Sequence, residues 1–598
     1  MNISINGIGI VSAIGIGAEE TLSALQQDRC GIAKMQHLQS VHTDLPVGEV
    51  RMSNEEMKQR LGLPAERIVS RTTLMGALAM REATKDISGD CGRTVVISGT
   101  TVGGMDVTES IFARIRQDGN NQETDGLLQY IKRHDCGSNT QEIVDILGLK
   151  AEVCTISTAC SAALNAIAVG CEMLKNREVD TVIAGGTEAL SLFHLNGFNS
   201  LMILDHEPCR PFCKTRQGLN LGEGAAYVVL RREDEAMKET GCQGRITGYA
   251  NRCDAWHQTA TSPNGEGAFL AMTDALRMAG LKAEDIDYVN AHGTGTPDND
   301  RSESAALKRV FGEHIPPVSS TKALTGHTTS ASGAIETVIS IIAMKNKFIP
   351  AETAWREQDD ECITPCRVMT PRTLNNVMCN SFGFGGNDSS LIISSVKYCP
   401  APLHHDKTVE TTEAEVFHME EIKQVCVTLD TDTWEEEAKE YISPKEARRM
   451  GRLLKAATMT SLKALRTAGI ERPDAIITAT KYGMLENSER LLTNMTETNE
   501  QTPSPTLFMQ STHNTIGSAI AIRLGCHGYN ITYTQGDKSM EWAMRDALRL
   551  IDTNKAKSVL VGFHDEVTPL FLSLLKRMGE PVPPTLFSKA IVLIANET

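Results

Sequence analysis

Short β-branched runs alternate with helical stretches along most of the chain. Ile3–Ser12 alternates apolar and polar positions and predicts a strand, with Gly7 and Gly9 at turn or close-approach positions, and a helix follows over 18–27. A helix over 73–86 feeds a strand over 94–98, after which Gly99, Gly103 and Gly104 permit a tight connection. The next strand, 153–157, runs into a stretch, 161–171, of small and apolar residues with Asn165 the main polar exception. Such a helix is covered on all sides. Strands over 181–184 and 225–230 close this half. A second half brings a helix over 267–279, a strand over 286–290, a helix over 330–344 and a strand over 390–394. The pattern is that of an α/β layered sheet.

Three loops at strand ends carry the candidate chemistry. Cys160 stands where the 153–157 strand gives way to the covered helix, and unpaired N–H groups at a helix start favour thiolate over thiol. A cysteine in such a run is more often plain core packing. His292 lies in Ala291-His292-Gly293-Thr294-Gly295-Thr296, and His327 closes Ser320-Thr321-Lys322-Ala323-Leu324-Thr325-Gly326-His327. A single histidine is more often structural than catalytic. Two on strand-end loops beside a helix-capping cysteine form a candidate site, because layered sheets place chemistry at strand ends.

Composition narrows the picture. At 598 residues the chain needs at least two cores, and a formal charge of -16 argues against nucleic acid as a general partner. No basic leader and no apolar run of membrane-spanning length is seen, so the expectation is a cytoplasmic protein with no membrane partner. The 16 cysteines then read as reduced thiols. The pairs Cys209/Cys213 and Cys362/Cys366 lack the spacing of a zinc site, so no metal is expected. The glycine pairs lack the context of a dinucleotide fingerprint.

The motifs TACSAA, AHGTGT, STKALTGHT and NSFGFGGN, in that order over residues 1 to about 396, resemble those of the beta-ketoacyl-acyl carrier protein synthases. The resemblance implies a thiolase-like fold of two related halves, about 1–240 and 241–396. It makes Cys160 the acyl-accepting nucleophile and His292 and His327 the pair supporting decarboxylation of a malonyl thioester. It makes Lys322 a buried structural lysine partnered by Glu336, Glu303 a further active-site acid, and Phe384 the gating aromatic, with backbone N–H groups of Cys160 and Phe384 as the oxyanion donors. It implies no cofactor beyond the phosphopantetheine of an acyl carrier protein, which is the expected partner. Lys132, Arg133, Arg210 and Lys214 fall in segments that form the carrier entrance in the family. Two departures stand out: Cys213 and its neighbours replace the usual acidic residues of that segment, and Asn387-Asp388 replaces Thr-Asn.

Residues 397–420 are rich in Pro, His and Thr and read as a linker. The rest, 421–598, repeats the first half at a shift of about 380, with Ala475-Ile476-Ile477-Thr478 on Val95-Val96-Ile97-Ser98. Val561-Gly562 on Ala184-Gly185 gives a shift of 377, which puts Asp537 at the place of Cys160, so this copy cannot form a thioester, and it is similar in kind to a chain length factor. Met540, Met544, Leu548 and Ile551 form one apolar stripe on its next helix, with Lys538, Glu541, Arg545 and Arg549 facing elsewhere, which predicts a half-domain exposed on one side. In the family two units pair through the strand before the nucleophile. Either an internal pseudo-dimer or a homodimer is therefore expected. The leading function is decarboxylative Claisen condensation in a specialised polyketide or aryl polyene pathway. The alternatives are a housekeeping fatty-acid elongation synthase and a non-catalytic chain-length scaffold.

Overall fold

The structure is a computed structural model in which residues 2–87, 91–118, 126–233, 241–397 and 422–596 are described. The stretch read as a linker lies outside the described residues, apart from Lys397.

Among the described residues one sheet of 16 strands runs through the molecule, 15 in a continuous order and the short Gly15–Ile16 paired off that path with Ile3–Ser12. From one edge its order is Ile422–Thr428, Leu586–Ala595, Ser558–Glu566, Ala475–Ala479 and Tyr529–Tyr533. Next come Glu152–Ile156, Thr94–Gly99, Thr181–Glu188, Gly224–Arg232 and Ile3–Ser12, and then Gly244–Cys253, Asn387–Ser394, Asn376–Gly383, Tyr288–Asn290 and Val318–Ser319. Each group of five places its first, fifth, fourth, second and third strand side by side in that sequence or its reverse. Within each, the second, third and fourth strands are parallel and the fifth is antiparallel to the fourth. The fold is therefore two related halves plus a third, partial copy of the first.

The expected strand over 181–184 continues through both glycines to Glu188. A Cβ on Gly185 would lie 1.9 Å from the Ala226 carbonyl oxygen, so glycine is what lets the two strands close up. The strand expected over 286–290 begins only at Tyr288, because residues Ala283–Asp285 form a 3-10 turn whose Asp285 carboxylate accepts from Lys282 N at 2.8 Å. The covered helix is Ala162–Lys175, with Asn165 fully buried.

The copy joins the first half through Tyr529–Tyr533, which runs antiparallel to Glu152–Ile156. Ser157 N donates to Thr532 O and Thr534 N to Thr155 O, each at 2.9 Å. Trp542, 2% exposed, donates its indole N–H to Val153 O at 3.0 Å. The pairing expected through the strand before the nucleophile is thus made inside one chain.

The copy's helix Ser539–Asp552 corrects the expectation of an exposed polar face. Met540, Met544 and Leu548 are only half-buried, whereas Trp542, Ala543, Asp546, Ala547 and Arg549 are buried. Arg549 grips Glu178 of the first half through two contacts, Nε–Oε1 at 2.6 Å and a second at 3.1 Å, and pairs with Asp546 at 2.7 Å. Arg545 reaches Glu152 at 2.8 Å. Periodicity separated polar from apolar positions: Lys538 and Glu541 face water as expected, whereas Arg545 and Arg549 meet complementary carboxylates instead.

Candidate active site

Cys160 is set by a strained turn. Ala159 has φ +51°, the left-handed region that alanine rarely occupies, and the covered helix begins two residues past Cys160. Asn165 pins that turn by donating to Thr158 Oγ1 at 2.9 Å. Cys160, His292 and His327 are 5%, 2% and 2% exposed. Cys160 Sγ lies 3.1 Å from His327 Nε2, and His327 Nδ1 is 3.0 Å from Ser332 Oγ. The His292 and His327 rings stand edge to face, with centroids 5.4 Å apart. The sulfur and one ring nitrogen of each histidine lie within 4.8 Å of one another. Among the described residues this is also the one group of three side chains of metal-binding type; the two C-x3-C pairs belong to none. Every described cysteine is a free thiol.

Glu303 accepts from the backbone N–H groups of His292 at 2.9 Å and Gly293 at 2.7 Å, so it fixes the His292 loop. Lys322 forms a buried ion pair with Glu336. Burial pushes the Glu303 and Glu336 carboxyls up to about 7, with the Gly293 N–H opposing in the first and Lys322 in the second. Burial, with the Lys322 charge beside them, holds both histidines well below the usual imidazole range, so they stand neutral. Burial also pushes the Cys160 thiol up to about 12, against Lys322 and the backbone N–H groups of Phe384 and Cys160. The expected resting thiolate is thus corrected: burial outweighs the local helix-start effect, and Cys160 rests as a thiol.

A cavity of about 320 Å³ opens over this cluster. It is lined by Cys160, both histidines, Phe198, Phe382, the Phe384 loop, Thr294 and Thr296. Phe384 stacks on Phe198 at 5.6 Å, and Phe508 of the copy packs edge-on against Phe198 at 5.2 Å. Neither Phe198 nor Phe508 was legible as a site residue. Phe198 sits on a helix, Leu192–Ser200, that carries no motif, and Phe508 belongs to the unreactive copy.

Family models for the beta-ketoacyl synthase N-terminal and C-terminal domains match residues 1–236 and 243–355, and a second N-terminal domain model matches 427–593. The 3-oxoacyl-[acyl-carrier-protein] synthase 2 of Staphylococcus aureus is 31% identical over 410 residues, covering 65% of this chain and 99% of that protein. The chain belongs to the beta-ketoacyl synthase family. Among solved structures, the ishigamide ketosynthase/chain length factor is 28% identical with a TM-score of 0.61, covering 66% of this chain and 99% of that one. The PfaC keto synthase-chain length factor shares the fold over 99% of this chain and 78% of that one, with a TM-score of 0.76 at 16% identity. The chain is thus a beta-ketoacyl synthase, an acyltransferase of the condensing type, that carries a second N-terminal synthase domain and shares its overall fold with a keto synthase-chain length factor. At the turn that holds Cys160 in the synthase, the copy has the exposed Asp537, paired with Lys481. Among the described residues no helix is long and apolar enough to cross a membrane.

The four basic residues expected at the carrier entrance do not line the cavity of the synthase. Arg210 is 5% exposed and held by Asp205 at 3.1 Å and Glu207 at 2.6 Å, so it is a buried clamp and cannot reach a partner. Lys132 pairs with Glu580 of the copy at 3.2 Å, and Arg133 donates to Ile68 O at 2.9 Å and Gln129 O at 2.7 Å. Lys214 is exposed and pairs with Glu357 at 2.7 Å.

Proposed function

We propose that Cys160 stores the acyl chain and that His292 and His327 drive the condensation on a carrier-bound malonyl unit. The observation that supports this most directly is the 3.1 Å approach of Cys160 Sγ to His327 Nε2 at the foot of the cavity. In the first step the Cys160 sulfur bonds to the acyl carbonyl carbon, the carrier's sulfur–carbon bond breaks, and the thiol proton passes through the adjacent imidazole to the departing carrier thiolate. Malonyl then loses carbon dioxide, and the resulting enolate oxygen accepts from the two neutral imidazoles. The enolate carbon attacks the stored acyl carbon, the new carbon–carbon bond forms, and the Cys160 sulfur leaves as thiolate and is reprotonated. The Cys160 and Phe384 N–H groups hold the oxyanion in both acyl steps. Lys322 and Glu303 keep the histidines neutral and in place.

The substrates ride on the phosphopantetheine of an acyl carrier protein, and the fused inactive half, as in the ketosynthase/chain length factor relatives, points to a specialised polyketide or polyene product. Incubation with acyl-loaded carriers of several lengths plus malonyl carrier, followed by intact-protein mass spectrometry, tests this. The expected result is one acyl adduct per chain, absent in Cys160→Ala, discharged as a beta-ketoacyl carrier when malonyl carrier is added. A wild-type chain that takes no acyl group would refute it in favour of a scaffold.

A further inference from the structure

The copy touches the active-site loop at both ends. Asn514 opens the copy's helix Thr515–Leu524, a position where an asparagine ordinarily turns back to accept from its own helix. Here it makes no such bond. Its amide instead donates from Nδ2 to Phe384 O at 2.9 Å, and its Oδ1 is buried without a partner. The same peptide group is held from its other side, because Gly385 N donates to Gln258 O at 2.7 Å. Gly385 and Gly386 follow Phe384 with φ +84° and +74°, a pair of residues that leaves the loop free to swing unless it is tied. The copy's helix lies against that pair: a Cβ on Gly385 would fall 2.1 Å from Ser518 Oγ.

At the loop's far end, Asn387 Nδ2 donates to Asn530 O of the copy at 2.5 Å, and Asn530 N donates to Asn251 Oδ1 at 2.8 Å. Asn387 Oδ1 meanwhile accepts from Ser161 Oγ at 2.7 Å, Asn165 Nδ2 at 2.9 Å and Asn251 Nδ2 at 2.8 Å. This accounts for one departure from the family motif. An asparagine at 387 has an amide donor that threonine lacks, and that donor joins the nucleophile's helix to the copy.

We propose that Asn514 is a positioning residue for the condensation: the copy, through Asn514, holds the Phe384 loop so that the Phe384 N–H faces Cys160. The inference rests on the roles proposed above for Cys160 and Phe384. Loss of the tie leaves the histidines untouched but lets the oxyanion donor, which also favours the Cys160 thiolate, drift, and displacement of such a group by about 1 Å costs on the order of 100-fold in rate. Partial drift is expected to cost about tenfold.

The test uses the full chain as wild type, Asn514→Ala and the isosteric Asn514→Asp, which sets a carboxylate oxygen against the Phe384 carbonyl. Two rates are read on Cys160. Acylation from an acyl-loaded carrier needs the oxyanion donor, and alkylation by iodoacetamide, in which the sulfur–carbon bond forms as iodide leaves, does not. Thermal midpoints are recorded alongside. The expected result is acylation slowed about tenfold in Asn514→Ala and more in Asn514→Asp, with alkylation, which loses only the donor's support of the thiolate, slowed by a clearly smaller factor. Equal acylation in all three, faster acylation in the variants, or acylation and alkylation falling by the same factor would overturn the proposal. A wild type that never acylates sinks the functional reading itself, a failure distinct from variants that match an active wild type.

Discussion

Arg549→Met probes the bond between copy and synthase at its most buried charge. Arg549 is 6% exposed and Asp546 3%, whereas the Glu178 side chain is 27% exposed. Removing one partner of a buried ion pair costs about 3–5 kcal/mol. Glu178 regains water when its partner goes, so the lower end applies, and the expected loss is about 3 kcal/mol. Most of it falls on Asp546, whose carboxyl burial already pushes up against the opposing Arg549 charge. Without Arg549 that carboxyl rises further and binds a proton. A group whose folded-state pKa is raised contributes stability at low pH and loses it as pH rises through the folded value, so the variant's deficit should shrink on going from pH 8 to pH 5. Urea unfolding at both pH values is the assay, with Asp546→Asn/Arg549→Met as the control that leaves no buried charge behind. An Arg549→Met midpoint equal to wild type, a deficit that grows on acidification, or a double variant less stable than the single one would refute the reasoning.

The raised Cys160 thiol predicts that its alkylation rate climbs steadily from pH 7 to pH 9, since the thiolate fraction is still far from saturation; a plateau in that range would mean a resting thiolate. Lys322→Ala removes the charge that depresses both histidines, so the acid limb of the condensation's pH profile should move to higher pH, with about 3 kcal/mol of stability lost because Glu336 keeps no partner. Phe508→Ala empties the space behind Phe198 and should lose about 3–5 kcal/mol while shifting the Cys160 adducts toward longer acyl chains in mass spectra; an unchanged length distribution would mean that the acyl chain does not run behind Phe198.

The layered sheet and the Cys160, His292 and His327 loops were legible because their cues are local: β-branched runs, glycine turns, and a helix too apolar to face water. The Lys322–Glu336 pair followed from the family motif. What escaped depends on neighbours distant in sequence. Arg549 read as outward because nothing in its helix reveals Glu178 some 370 residues earlier. The Cys160 thiol read as ionised because the sequence shows a helix start and a covered helix but not the size of the burial penalty, which outweighs the helix-start N–H groups. Arg210 read as a docking charge because its segment hides Asp205 and Glu207 folding over it. Asn514 and Phe508 lacked any signal, being ordinary residues in a copy without reactive groups.

The strand junction at Tyr533 and Ile156 also changes the kinetics of assembly. The edge through which a synthase recruits its companion is occupied by a strand of the same polypeptide, so companion and catalyst meet in a first-order step. Dilution therefore leaves their ratio and their contact unaltered, and neither unit can be exchanged for another after synthesis.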